Sequence, residues 1–442
     1  SFQDSILKTT EPMTIIIDES LLRVEGEINF FTDILDISAD LENAQIDLIN
    51  QFLPGNYISG KATGSMRIYD NIYSPSAKSE LMCTDIKIDD FDLKTLSLSS
   101  QMKVSKDGPI GFLDLKAVDG VWQGRFFQNA VINSTFENNK IILENCNFIS
   151  GKDFLYISGK SLGDDRYKVN KIEIAYDDNY LVNSGSLEFV YKDTVLEADP
   201  FEFQNNDGIL EGVITGLYDP EIRLKMSNFD AGIITQFFND QRLQITGLVF
   251  GELWTKFEDN KIDLDIDLSL KDGIYMKEEF DDFQISFLFK DKILHLDDFS
   301  MTRAGKMGFQ ANGVIPIDRS NIINVPIDIQ SSFSNLSLEF IHRFIPKFYK
   351  IKGFASGSIK LGGLPNNTQF VYDLDIDDGE FDRVNLGKVI SKGHYDGYRL
   401  HISNTKSVSK LNTVIANGTI PFDLNINSDD FGKLYHNDSI DF

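Results

Sequence analysis

Between Lys261 and Lys271 the chain reads KIDLDIDLSLK, which puts Ile262, Leu264, Ile266, Leu268 and Leu270 at every second position and Asp263, Asp265, Asp267, Ser269 and Lys271 between them. Only a strand keeps two such sets apart, because its successive side chains leave on opposite faces. Phe283, Ile285, Phe287 and Phe289 repeat the pattern, as do Phe370, Tyr372, Leu374 and Ile376 against Asp373 and Asp375. Sheets with one oily and one wet face are antiparallel as a rule, and signals of helical period are nearly absent. The expected class is all-β.

A short phrase recurs. ISGKATGSMRIYD begins at Ile58, ITGLVFGELWTKF at Ile245 and IKGFASGSIKLGG at Ile351. Before each copy an alternating run (Ile37, Ala39, Leu41; Ile222, Leu224, Met226; Ile329, Ser331, Phe333) reaches an asparagine, at 43, 228 and 335. Apolar residues then fall at Ala44, Leu48, Ile49 and Phe52, at Phe229, Ile233, Ile234 and Phe237, and at Leu336, Phe340, Ile341 and Phe344. That spacing lines one face of a short helix, with each Asn as its N-cap, and the helix is expected to cover an apolar sheet surface. The paired glycines (Gly247 and Gly251, with their counterparts) are expected where the chain turns tightly from helix to strand and approaches another backbone.

Copies two and three stay in register at spacings of 105 to 107 residues: Gly273 with Gly379, LHL at Leu294 with LHI at Leu400, ANGVIPID at Ala311 with ANGTIPFD at Ala416. Copy one precedes copy two by 187 residues at the glycines, room for a further degenerate set of strands. Repeats of this kind stack in one dimension and bury their apolar sides against neighbours. A long sheet follows, and two ways of hiding its oily face stay open: a filled core, or a groove occupied by something apolar. The bulk of the recurring Phe and Ile favours the groove.

The formal charge of −26 argues against nucleic acid and anionic headgroups as surface partners, since acidic side chains repel phosphate at long range. No apolar run approaches the ~18 residues of a membrane span. The chain starts at Ser1 with neither an initiator Met nor a secretory leader, as expected of a mature product or an excised piece of a longer chain. Cys83 and Cys146 lie outside any CxxC pattern and read as two buried thiols. In DLDIDDGEF, from Asp373 to Phe381, an EF-hand would need glycine sixth and glutamate twelfth, where Asp378 and Val384 stand; the row reads as a solvated strand face. No metal site and no cofactor is expected. His295 and His401 occupy equivalent positions and read as outward-facing. His394 with Asp396 could pair as a base and its orienter, but no nucleophile motif accompanies them, so no enzymatic activity is expected.

The order IDIQSSFSNLSLEFIHRFIP, IKGFASGSIKLGGLPNNTQFVYDLDIDDGEF, GHYDGYRLHI, ANGTIPFDL resembles the TamB and AsmA-like proteins of diderm bacteria, most clearly over residues 222 to 424 and recognisably at 36 to 70. The resemblance implies an elongated repeating β-groove, an antiparallel sheet curled like a taco, with one short amphipathic helix per repeat. It implies carriage of phospholipid between inner and outer membranes through the periplasm, in support of outer-membrane lipid homeostasis. The alternative it carries is a periplasmic assembly factor for outer-membrane β-barrel proteins. Partners would be phospholipid acyl chains and outer-membrane barrel proteins, with the inner-membrane anchor and other membrane contacts in parts of the protein outside this chain.

The expected divisions are 1–35, the end of a preceding repeat; 36–221, the first repeat with a degenerate β unit; 222–327 and 328–424, the second and third repeats; and 425–442, an acidic tail or the start of another unit. The expected groove lining is Ile262, Leu264, Ile266, Leu268, Phe283, Ile285, Phe287, Phe289, Leu294, Leu296, Tyr372, Leu374 and Ile376.

Overall fold

The computed structural model describes residues 2–3, 5–17, 19–47, 58–89, 91–122, 124–176, 179–193, 195–216, 219–233, 245–258, 261–275, 278–303, 307–317, 325–339, 351–364, 367–381, 384–409, 412–421 and 423. The chain divides into two compact units, Ser1–Asn206 and Asp207–Phe442. That boundary falls inside the expected 36–221 division, and the expected 425–442 division lies outside the described residues.

The first unit contains β1 (Phe2–Gln3), β2 (Ile6–Lys8), β3 (Met13–Ile17), β4 (Ser20–Asn29), β5 (Ile34–Gln45), β6 (Ile58–Asn71), β7 (Ser74–Ile88), β8 (Phe91–Ser105), β9 (Gly108–Trp122), β10 (Arg125–Glu137), β11 (Lys140–Ser150), β12 (Asp153–Gly163), β13 (Arg166–Tyr176), β14 (Asn179–Asn183), β15 (Leu187–Lys192) and β16 (Val195–Asn205). From β4 to β13 every strand lies antiparallel to the one before it. At each end of this run one strand is split in two. The pieces β2 and β3 share the edge of β4, and β14 and β15 lie end to end between β13 and β16.

Both gaps are bridged by a side chain standing in for a missing ladder. The Thr9 hydroxyl accepts from the Gly26 N–H at 2.9 Å. The buried Asn183 amide accepts from the Ile172 N–H at 2.6 Å, donates to the Asn170 carbonyl at 3.2 Å, and also donates to the Gly185 carbonyl. Backbone groups left out of a ladder need another partner, and here one buried carboxamide serves three of them.

The second unit is a plain up-and-down succession: β17 (Gly208–Thr215), β18 (Glu221–Asp230), β19 (Ile245–Glu258), β20 (Lys261–Tyr275), β21 (Glu278–Lys290), β22 (Ile293–Arg303), β23 (Met307–Pro316), β24 (Ile327–Ser337), β25 (Ile351–Leu364), β26 (Asn367–Phe381), β27 (Val384–Tyr395), β28 (Arg399–Val408) and β29 (Thr413–Pro421). Each pairs antiparallel with the next.

Short polar turns join many strands. At Asn138–Asn139, Asp164–Asp165 and Asp291–Lys292 both central residues have positive φ, the geometry whose twist matches a hairpin. Asn and Asp tolerate that region better than other side chains.

The three recurring asparagines are not helix caps. Asn43, Asn228 and Asn335 have φ of 52°, 55° and 51°, whereas an N-cap residue keeps an extended φ. Each sits where the register slips in β5, β18 or β24, as the left-handed residue of a β-bulge. A hydroxyl on the next strand satisfies the backbone at two of them: the N–H of Asn43 reaches Thr63 Oγ1 at 3.1 Å and that of Asn335 reaches Ser356 Oγ at 2.8 Å.

No helix of the expected length is seen among the described residues; short helical stretches follow the bulged strands at 46–47, 231–233 and 338–339. Leu48, Ile49, Phe52, Ile234, Phe237, Phe340, Ile341 and Phe344 lie outside the described residues.

The paired glycines sit inside strands, as the third and seventh residues of β6, β19 and β25, and the segments before those strands lie outside the described residues. Gly64, Gly251 and Gly357 have φ of 149°, 127° and 151°. A Cβ there would fall on the carbonyl oxygens of Glu80, Asp267 and Asp373, which are equivalent acidic residues on the next strand. The close approach was expected; the location was not.

Candidate functional site

Strand register assembles the alternation into rows. In the first unit one row of direct partners runs Ile15, Leu22, Leu41, Gly64, Leu81, Leu98, Leu115, Ile132, Cys146, Ile157, Ile172. Glycine is its single break in apolar side chains. In the second unit the corresponding row runs Gly212, Leu224, Leu253, Ile266, Phe287, Leu296, Gly313, Ile329, Leu361, Phe370, Tyr395, Leu400, Ile420. An insertion of one residue would normally flip a strand's faces. Bulges absorb it: between Leu296 and Phe299 both Asp297 and Asp298 fit, and both apolar residues still meet the inward side of β21, at Phe287 and Ile285.

All thirteen expected lining residues occupy this face of the second unit. Leu264, Phe289 and Leu294 form one row, and Ile266, Phe287 and Leu296 the next. Leu268 pairs with Ile285, and Phe283 sits a step further along, opposite Leu270. Ile262 faces Phe257 at the strand end. Tyr372, Leu374 and Ile376 continue the face on β26 against Ile359, Gly357 and Ala355.

The face is neither sealed nor bare. Phe283 is buried at 7% exposure and Ile262 is exposed at 45%, while the other eleven are half-buried. Toward the bulged ends of the strands the packing closes: Val249, Leu270, Phe280, Met301, Phe333, Leu336 and Ala355 are all buried. Aromatic rings lie over glycines there, Phe280 against Gly273 and, in the first unit, Phe127 against Gly120. Burying such a ring contributes on the order of 2 kcal/mol. In the first unit Phe91 stacks on Trp122 at 5.4 Å between centroids.

Sequence reasoning missed the whole row of the first unit. Its signal was present in LKTLSLSSQMKV and SELMCTDIKI, but diluted by small polar residues. Ser79 and Ser100 stand on the inward face and satisfy each other at 2.6 Å.

The opposite face is wet and charged. Asp373 pairs with Lys392 at 2.6 Å, and Lys388 reaches both Asp375 and Asp377 at 3.1 and 3.3 Å. Asp36 holds Arg67 through two hydrogen bonds of 2.8 and 2.6 Å, and the Arg67 side chain keeps the Asp36 carboxyl below its usual range. A cleft of about 680 Å³ across β6 to β10 is lined by Glu80, Ser99, Asp114, Lys116 and Asn133 together with Gly64, Leu81, Leu98 and Leu115 of the row.

His295 is exposed and lies on this wet face, opposite Leu288 and Val314. His394 and His401 are cross-strand partners stacked at 4.4 Å. Asp396 contacts His401, at 2.8 Å, and also accepts from the N–H groups of Tyr398 and Arg399 at 3.0 and 2.7 Å. Burial raises the Asp396 pKa, but the bonds from His401, Arg399 and Tyr398 outweigh it and bring the carboxyl down to about 2. The carboxylate thus organises the β27–β28 turn around His401.

Cys83 is buried and Cys146 half-buried, both free, and burial pushes each thiol upward. Among the described residues no group of three or more His, Cys, Asp or Glu could hold a metal ion, and no helix is long and apolar enough to cross a membrane. Comparison of the chain with family models, with curated proteins and with solved structures finds no match to any of them.

Proposed function

We propose that this chain carries acyl lipid along its apolar sheet face, as part of a protein that moves phospholipid between the two membranes of a diderm cell through the periplasm. The observation that carries the reading is the row of apolar side chains in each unit, interrupted only by glycine and for the most part half-buried. A core would be filled, and a purely structural surface would not line up bulky Phe, Ile and Leu side chains strand after strand. Acyl chains laid on the row would be removed from water at roughly 0.8 kcal/mol per CH₂, while headgroups stay in solvent. Near-uniform apolarity lets a chain slide without a deep trap. The resemblance to TamB and AsmA-like sequences supports the location.

Native mass spectrometry of the purified chain tests the proposal. Co-purified phospholipid that is lost on placing a charge in the row supports it; a protein that stays lipid-free after incubation with phospholipid vesicles overturns it.

A second reading, a holder for extended segments of outer-membrane proteins, is favoured by β29. Among the described residues this strand pairs only with β28, and Val414 and Ile415 are exposed on it. An open edge accepts another strand. Crosslinks from β29 to unfolded barrel segments, with none to lipid, would favour this reading.

A further inference from the structure

The apolar face of the second unit carries one connected polar feature that its packing does not consume. Tyr372 on β26, Ser391 on β27 and Thr405 on β28 all stand on that face: Ser391 is the direct partner of both Leu374 and Thr405, and Tyr372 is the partner of Ile359 and Gly393. The absence of a side chain at Gly393 makes room for the phenol, whose oxygen would lie 2.7 Å from a Cβ there. Ser391 and Thr405 are 2.6 Å apart, a full hydroxyl pair, whereas Ser391 reaches the Tyr372 oxygen at 3.4 Å, long for a bond between hydroxyls. Three hydroxyl protons serve two contacts. With Ser391 donating to Tyr372, the phenol keeps its own proton, and that proton makes no hydrogen bond among the described residues.

We infer that the Tyr372 hydroxyl donates to the ester carbonyl of a bound acyl lipid, making this point of the face a reader of the ester linkage. An unmet donor on an apolar surface selects a ligand that brings an acceptor. The Phe370 ring lies beside that of Tyr372, at 6.3 Å between centroids, and Leu374 is the next residue on the same face, so a neutral carbonyl suits the place and a charged phosphate, costly to bury, does not. The inference rests on the lipid-carrying reading above.

The test is displacement of a fluorescent phospholipid from the whole chain by a diacyl phosphatidylethanolamine and by its dialkyl ether counterpart, which has the same headgroup and no ester carbonyl. The unaltered protein is expected to prefer the ester lipid about fivefold, the worth of one net hydrogen bond. Tyr372→Phe is expected to abolish the preference by weakening ester binding alone. Ser391→Ala, which leaves the phenolic proton in place, is expected to retain it. Equal binding of ester and ether by the unaltered protein, or a preference that survives Tyr372→Phe, overturns the inference and leaves the lipid reading standing. Uptake of neither lipid overturns the reading on which it rests.

Discussion

Gly251 and Leu268 face one another across β19 and β20, and any side chain at Gly251 would be driven into the Asp267 carbonyl beside its partner. The equivalent pairs are Gly64 with Leu81 and Gly357 with Leu374. Substituting Gly251 or Gly357 by Ala should therefore destabilise the second unit by about 1–3 kcal/mol, through both a clash and a φ that L side chains rarely adopt. Gly185→Ala is the control, since an added Cβ there meets nothing within 4 Å. Urea unfolding of the three variants checks this: a Gly251→Ala midpoint equal to that of Gly185→Ala would contradict it.

Asn183 stitches a split strand, and its removal should be felt locally. Asn183→Ala removes the partner of the half-buried Ile172 N–H and of the carbonyls of Asn170 and Gly185 on exposed residues, at a cost of about 1 kcal/mol. Hydrogen exchange should show the Ile172 amide losing protection before the amides of β8 and β9. Uniform loss across the first unit would instead mean that this join nucleates the whole sheet.

Phe287→Asp places a charge in the middle of the second unit's apolar row, and retained lipid should fall at least tenfold. His295→Asp, on the wet face of the adjacent strand, should leave it unchanged. The ratio of bound lipid to protein in native mass spectra measures both. Equal losses would show a general effect of charge rather than occupancy of the face.

The β27–β28 turn should respond to acid. Asp396 titrates lower in the folded chain, at about 2, than its ordinary 3.8. A depressed carboxylate contributes stability that is complete above the unfolded value and is lost as pH falls through the folded one. The amides of Tyr398 and Arg399 should keep their protection at pH 5 and lose it progressively between about pH 4 and pH 2, and Asp396→Asn should remove that dependence. Because the carboxyl is partly exposed, the effect should be confined to the turn. Two-dimensional NMR across this range would show it.

The period-2 alternation made strands, faces and the lining of the second unit legible in the sequence. The bulges were less so. Asn43, Asn228 and Asn335 fit a helix cap and a left-handed bulge equally well by type, and what separates the two is the φ that neighbouring strands impose. One clue was available: in LHLDDFSM the apolar residues Leu296 and Phe299 stand three apart, a break in parity that a strand can accommodate only by bulging. The first unit's row was hidden for a different reason. Serine, glycine and cysteine occupy inward positions there, and only the pairing of Gly64 with Leu81 and of Ile132 with Cys146 reveals that they belong to the same line.

Those bulges make the chain tolerant of odd arithmetic. Because the left-handed Asn or Asp of a bulge absorbs one surplus residue, a single-residue insertion beside Asn228, Asn335 or Asp378, whose φ of 52° marks the register slip in β26, can be taken up locally, whereas one in the middle of β20 or β26 would turn every following side chain inside out. Length variation in a chain built this way is thereby steered to the margin of the sheet, and the greasy lane keeps its continuity while the sequence around it drifts.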